Sequence, residues 1–209
     1  MKKYIKFPNI YAITPAEENT TTLLAQVESA IKGGVRLIQY RDKSLSSSIR
    51  IEQAKALRSL CNKYNTLLLI NDDIELAKIC EADGVHLGQS DSTLLTAREY
   101  LGEKAIIGIT CHDNLELAQK AVNEGADYIS FGCFFPSKTK PNAKPAPLSV
   151  LTKAKEQFKL PIVAIGGITK ENAQSLIEAG ADLLAISAGL FNNPDIGQSS
   201  CEILSIINS

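Results

Sequence analysis

Short apolar runs alternate along the chain with longer stretches of helical period. The runs NIYAIT, VRLIQYR, TLLLIND, GVHLG, AIIGIT, ADYISFG, PIVAIGGI and ADLLAIS have the length and apolar content of buried strands. Between them TTLLAQVESAIKGG, SSSIRIEQAKALRSLCNKYN, IELAKICEA, TLLTAREYLGE, LELAQKAVNEG, LSVLTKAKEQF and KENAQSLIEAG carry helical period, and a last helix is predicted near 195–207. Strands that alternate with helices predict a parallel sheet, because parallel neighbours need a crossover connection.

A weak internal echo supports this. KGGVRLIQ, EADGVHLG, EGADYISFG and EAGADLLAIS each end a helix on or near glycine and then enter an apolar strand. Glycine suits that stop, since the residue after a helix commonly takes positive φ. Eight such units in 209 residues fit the small end of a closed (β/α)₈ TIM barrel, with a doubly wound open sheet as the alternative. No linker or shift of composition divides the chain. It is therefore predicted as one barrel domain over residues 1–209, with residues 1–8 as a short N-terminal extension.

Composition narrows the partners. A formal net charge of −1 gives no general attraction for nucleic acid or a membrane surface, so any basic patch must be local. No stretch approaches the roughly 20 apolar residues that span a bilayer, and MKKYIKFPNI is not followed by the apolar core of a secretory signal. Cys61, Cys80, Cys111, Cys133 and Cys201 are odd in number and widely spaced, which indicates neither a disulfide framework nor a zinc site. Reduced thiols in the cytoplasm are expected. Self-association into a homo-oligomer is left open.

In a barrel of this kind chemistry sits at the C-terminal ends of the strands, and polar residues gather there. By alternation Val35 and Leu37 share a face with Gln39, Arg41 and Lys43, so one face turns from apolar to amide, guanidinium and ammonium. This is either a strand running out into solvent or a set of donors for an anionic ligand. LLLIND ends in Asn71 and Asp72 beside Asp73, one of which can cap the next helix, and GVHLGQSD delivers Asp91 after the following strand. Two carboxylates on neighbouring strand ends suit Mg²⁺, which takes one or two protein carboxylates plus substrate oxygens. Gly166 and Gly167 after the seventh strand, with Ile186 and Ser187 at the end of the eighth, stand where such barrels bind phosphate. His86 reads as a packed core residue, His112 has no nucleophile beside it, and Cys111 and Cys133 read as small buried hydrophobes. Two anion sites suit a transferase that ionises a metal-bound diphosphate and passes the organic fragment to a phosphorylated acceptor.

IQYRDK, LIND, GVHLGQSD, GIT, FPSKTK and PIVAIGGI fall in the order and spacing of the thiamine-phosphate synthase family, which the chain resembles from about Tyr11 to Phe191. The resemblance implies a (β/α)₈ barrel, Mg²⁺ as cofactor and two small phosphorylated substrates. These are 4-amino-5-hydroxymethyl-2-methylpyrimidine diphosphate and a hydroxyethylthiazole phosphate, joined with release of pyrophosphate. Carried over by motif, it implies that Gln39, Tyr40, Arg41, Asp42, Lys43 and Asn71 bind the pyrimidine diphosphate. Asp72 and Asp91 become the metal ligands, and Thr110 and Lys140 the catalytic contacts to the diphosphate substrate. Ser137, Lys138, Thr139, Gly167, Ile186 and Ser187 would hold the thiazole phosphate. Thr110 stands where the family often has serine, and Ser137 where it commonly has threonine.

The proline-stiffened loop FPSKTKPNAKPAP is expected to lie over both phosphate groups and to be mobile without ligand. Three alternatives share the barrel. A thiazole tautomerase favours histidine where this chain has Cys133 and has little use for Asp72, Asp91 and Lys140 together. A non-catalytic phosphate-binding protein has no need of the metal pair. A Schiff-base aldolase needs a lysine that the sixth strand, ADYISFG, does not offer.

Overall fold

In the computed structural model, which describes residues 10–136 and 145–208, the eight apolar runs close into one barrel. The strands are β1 (Ile10–Ile13), β2 (Leu37–Tyr40), β3 (Leu67–Asn71), β4 (Gly84–Leu87), β5 (Ile106–Thr110), β6 (Tyr128–Gly132), β7 (Ile162–Ile165) and β8 (Leu183–Ile186). Every neighbour is parallel, and β8 pairs back onto β1 with Tyr11 opposite Ala185. The helices are α1 (Thr20–Lys32), α2 (Ser47–Lys63), α3 (Ile74–Ile79), α4 (Leu94–Leu101), α5 (Leu115–Asn123), α6 (Ser149–Gln157), α7 (Ala173–Glu178), a short α8 (Ala188–Phe191) and α9 (Ile196–Ile207). The predicted extension, residues 1–8, lies outside the described residues.

Period-two alternation sorts each strand into two layers. Tyr11, Ile13, Leu37, Leu69, Ile106, Tyr128, Val163 and Leu183 fill the barrel, while Ile10, Ala12, Ile38, Leu68, Ile70 and Leu184 face the helices. The outer layer packs against Leu23, Val27, Leu57, Leu151 and Leu176, each fully or almost fully buried. Burial of each such side chain contributes about 1.5–3 kcal/mol. The interior is tight enough to dictate residue size. The Tyr128 ring lies over Gly108, where a Cβ would come within 1.9 Å of the ring.

Two details differ from the sequence expectation. β2 begins at Leu37, and Val35 packs in the helix-facing layer, so it does not share the inner face of Leu37 and Gln39. Arg41 and Lys43 lie beyond the strand end, where alternation no longer fixes their direction.

The internal echo has a structural cause. Asp83, Asp127 and Asp182 stand immediately before β4, β6 and β8, at the N-terminal face of the barrel. Asp83 Oδ2 accepts from Leu68 N–H at 2.8 Å and pairs with Arg58 at 2.6 Å. Asp127 Oδ2 accepts from Ile107 N–H at 2.8 Å and pairs with Arg98 at 2.7 Å. Asp182 accepts from Ile162 N–H at 2.9 Å and pairs with Lys155. Each carboxylate thus ties an even strand to the odd strand before it and to the helix leading into that odd strand. In the first echo Arg36 takes the corresponding place and donates to the carbonyl of Ile31 at the end of α1 and to that of Val35, its chain neighbour.

Candidate active site

At the end of β2 the chain divides its side chains between two layers. Gln39 points into the barrel and its Nε2 donates to Tyr11 Oη at 2.5 Å. Tyr40 points the other way, packs in the outer layer and donates from its hydroxyl to Gln53 Oε1 at 2.9 Å. Its side chain therefore points away from the mouth, and the pyrimidine-diphosphate contact expected of Tyr40 falls to its backbone. Burial and the charge of Asp42 push its phenol up to about 12. Asp42 also has a structural duty. It lines the mouth cleft, but its Oδ1 accepts from Ser44 N–H, Ser44 Oγ and Leu45 N–H, which makes it the staple of the loop after β2. Against its burial, those bonds hold the carboxyl below the usual range. Arg41 is half-buried, and its backbone N–H is fixed by Thr14 Oγ1 at 3.0 Å.

Three acidic residues follow with separate duties. Asp73 caps α3, accepting from Leu76 N–H at 2.8 Å, and is paired with Arg50 of α2 at 2.8 Å. Asp72 stands at φ +63°, a left-handed conformation that costs a non-glycine residue about 1–3 kcal/mol and is concentrated at functional sites. Its Oδ2 is 2.7 Å from Lys43 Nζ. Asp91, on the loop after β4, is aimed by Gly88 N–H, which donates to its Oδ2 at 2.7 Å. The Asp72 and Asp91 carboxyls are in hydrogen-bonding contact. Burial raises both. For Asp72 this is outweighed by Lys43, Asp91 and Asn71, and its carboxyl is held low. For Asp91, burial and the charge of Asp72 outweigh the Gly88 bond, and its carboxyl is pushed up. Two carboxylates this close are a site where a cation would relieve repulsion. Asn71, Asp72, Lys43 and Arg50 together line a cleft of about 520 Å³ at the barrel mouth.

Below the mouth the barrel interior is polar. His86 on β4 is buried and accepts or donates at both ring nitrogens: Nδ1 is 2.8 Å from Tyr128 Oη and Nε2 is 2.8 Å from Thr110 Oγ1. Tyr128 Oη in turn lies 2.9 Å from Tyr11 Oη. His86 is thus a hydrogen-bonded member of the barrel interior, where the sequence predicts only a packed core residue. Burial lowers its pKa to about 4, only partly opposed by Asp72. Thr110 is also held from the loop of Asp91, where Gln89 Nε2 donates to its carbonyl at 2.6 Å. The site beyond the sequence expectation therefore includes Tyr11, Tyr128, Thr14, Gln89 and Arg50. Inward tyrosines look like core residues in a sequence, and no local signal separates them from it.

Across the mouth, Gly166 and Gly167 have φ of +108° and +63°. A Cβ on Gly166 would meet Cys133 Cβ at 2.2 Å, and one on Gly167 would meet the Pro136 carbonyl at 2.6 Å. The glycines are required by the segment after β6, which lies against them with Phe135 N–H donating to the Gly166 carbonyl at 3.1 Å. Ile186 packs its side chain in the outer layer, so it can meet a ligand at the mouth only through its backbone. Ser187 is half-buried at the start of α8. His112 is exposed, has φ +53°, and its carbonyl accepts from Gly132 N–H at 2.9 Å. Burial pushes the Cys111 thiol up to about 12, in keeping with an inert packed side chain. Ser137, Lys138, Thr139 and Lys140, and with them most of the predicted covering loop, lie outside the described residues.

Comparison with known proteins agrees with this geometry. The sequence model described as thiamine monophosphate synthase matches residues 10–190. A thiamine-phosphate synthase of Saccharophagus degradans is 53% identical over 189 residues, covering 90% of this chain and 87% of that protein. One from Marinobacter nauticus is 57% identical, covering 88% and 83%. Among solved structures, a thiamine phosphate pyrophosphorylase from Pyrococcus furiosus superposes with a TM-score of 0.86 at 32% identity, covering 96% of this chain and 95% of its own. The chain belongs to the thiamine monophosphate synthase family.

Proposed function

We infer that the barrel mouth joins an aminopyrimidine-methyl diphosphate to a thiazole phosphate and releases pyrophosphate, the thiamine-phosphate synthase reaction. The observation that carries the inference is the convergence of Asp72, Asp91 and Lys43 from three adjacent strand ends. The donor set fits a hard divalent cation: two carboxylates in contact, one held low and one driven up by burial and by the charge of the other. Among the described residues no cluster of three or more His, Cys, Asp or Glu side chains could enclose a metal by itself. That favours an ion completed by water and substrate oxygens, as Mg²⁺ usually is. Mg²⁺ held by Asp72 and Asp91 would neutralise charge gathering on the departing diphosphate.

The chain's own groups do the rest. Lys43 offers an exposed ammonium to the diphosphate, and Asn71 and Arg50 line the same cleft. The bond between the pyrimidine methylene and the diphosphate oxygen breaks, and its electron pair leaves with pyrophosphate. The exocyclic amino group stabilises the resulting cation, and the thiazole nitrogen supplies the pair for the new C–N bond. No protein nucleophile is needed, so positioning and charge stabilisation account for the catalysis. Ser187 and the turn at Gly167 flank the opposite side of the mouth, where the thiazole phosphate would bind; the family resemblance adds Ser137, Lys138 and Thr139 to that substrate and Lys140 to the diphosphate.

A cytoplasmic setting follows from the same inference. Its support is that no described helix is long and apolar enough to cross a membrane and that the five cysteines are free thiols. The test is pyrophosphate release from the purified chain with both half-substrates, with and without Mg²⁺. Release that needs both substrates and the metal supports the assignment. Absence of release from folded protein that binds the ligands overturns it and makes thiazole isomerisation the next assay.

A further inference from the structure

An unbroken hydrogen-bond chain crosses the barrel interior from one mouth residue to another. It runs from Gln39 Nε2 to Tyr11 Oη (2.5 Å), to Tyr128 Oη (2.9 Å), to His86 Nδ1 (2.8 Å), and from His86 Nε2 to Thr110 Oγ1 (2.8 Å). The side chains come from β2, β1, β6, β4 and β5 in turn. Its ends, Gln39 and Thr110, are groups that the family resemblance assigns to the pyrimidine diphosphate. Its middle members are buried, Tyr11 at 1%, Tyr128 at 0% and His86 at 7% exposure.

We propose that Tyr11, Tyr128 and His86 are positioning residues that fix the hydrogen-bond polarity of the mouth, so that Gln39 presents its carbonyl oxygen and Thr110 its hydroxyl proton to the substrate ring.

The direction follows from what each group can do. The Gln39 amide nitrogen only donates, so Tyr11 Oη accepts there and passes its single proton to Tyr128 Oη. The Tyr128 hydroxyl faces the imidazole at Nδ1, where a phenol proton meets a lone pair. Nε2 then carries the ring proton and donates to Thr110 Oγ1, which leaves the Thr110 proton to be given elsewhere. Ser130 Oγ, 3.5 Å from the same nitrogen, is the more distant acceptor. With Nδ1 accepting from Tyr128 and Nε2 donating to Thr110, the ring carries one proton. With Gln39 Nε2 on Tyr11 Oη, a reversed chain would leave the Tyr11 proton facing a donor, and a buried hydroxyl without an acceptor costs about 1–3 kcal/mol. A turned amide would reverse the chain and place the ring proton on Nδ1, which the His86 tautomer reports.

An acceptor from β2 and a donor from β5 match a ring that carries both an amino N–H and an unprotonated ring nitrogen. The opposite polarity would match the corresponding oxo-pyrimidine. The chain would thus select the aminopyrimidine over its deaminated form. This step rests on the function inferred above; the polarity itself does not.

The two are tested separately. The chain has two histidines, so nitrogen-15 NMR of the full chain, with His112→Asn to assign the signals, reads the His86 tautomer directly. Protonation at Nε2 is expected, and protonation at Nδ1 overturns the proposal whether or not the protein is active. In Tyr128→Phe the fixed tautomer should become a mixture. The KM for the aminopyrimidine diphosphate should rise about tenfold, the loss of one hydrogen bond, with a smaller change in kcat. Discrimination against the oxo-pyrimidine diphosphate should narrow. Unchanged tautomer and KM would overturn the proposal. If Tyr128→Phe does not fold, Tyr11→Phe breaks the chain one link earlier and must give the same pattern. A correct tautomer without synthase activity would sink the inferred function and leave the polarity standing.

Discussion

Lys43 Nζ stands 2.7 Å from Asp72 Oδ2, so the ammonium beyond one strand rests on the carboxylate beyond the next. The lysine is largely exposed, and such a pair contributes only about 0–1 kcal/mol to stability. Its place at the barrel mouth is better explained by charge in the reaction. Because Asp72 sits at φ +63°, alanine there would disturb the backbone as well as the charge. Asparagine tolerates that conformation. Asp72→Asn should keep its melting temperature within a few degrees and lose about 10²-fold or more in pyrophosphate release. A rate near that of the parent chain would remove Asp72 from the metal site.

The N-terminal face should behave in the opposite way. Asp127 Oδ2 serves both the Ile107 N–H and the Arg98 guanidinium, and removal of the carboxylate strands both partners in a half-buried position. Asp127→Ala should lose about 1–3 kcal/mol in urea unfolding while kcat and KM stay as they were. A selective loss of activity would mean that this face communicates with the mouth.

Asp127 also marks how far the sequence could be read. Eight apolar runs in 209 residues predicted the strand count and barrel closure. The echo around Asp127, and around Asp83 and Asp182, was visible as a repeat and supported the alternation of helix and strand. The clamp that each Asp makes was not, because its partners come from residues some 15 to 29 positions away. At the mouth, residues whose chemistry is distinctive where they stand, Asp72, Asp91 and Lys43, were legible. The side-chain partners of Tyr40 and Asp42 were not: a run of adjacent residues is read as one motif, but alternation sends the Tyr40 ring outward and Asp42 also holds a turn. Tyr11, Tyr128 and His86 were hidden for a different reason. An inward polar residue differs from an inward apolar one only through its partners on other strands.

Gly167 offers a test of the opposite wall. At φ +63° a side chain costs about 1–2 kcal/mol, and its Cβ would lie 2.6 Å from the Pro136 carbonyl. Gly167→Ala should therefore destabilise the fold by more than about 1 kcal/mol and displace the segment 133–136. The KM for the thiazole phosphate should rise more than that for the pyrimidine diphosphate. Equal effects on both would show that the turn does not belong to one substrate's side.

The buried imidazole sets a pH window for stability. His86 titrates at about 4 in the fold and near 6.5 in the unfolded chain. The unfolded state therefore binds the extra proton first, so stability is full above about 6.5 and is lost as pH falls toward 4. The neighbouring Asp72 favours the charged ring but does not offset its burial, and Tyr11 and Tyr128 stay neutral throughout this range because burial raises both phenols. Integrated over that window the loss amounts to about 3 kcal/mol. Urea unfolding in a chelator, repeated between pH 7.5 and 4.5, should show this slope in the parent chain. His86→Gln should be less stable at pH 7 yet nearly flat over the same range. A slope that survives the substitution would assign the acid sensitivity to the carboxylates and leave His86 without a part in it.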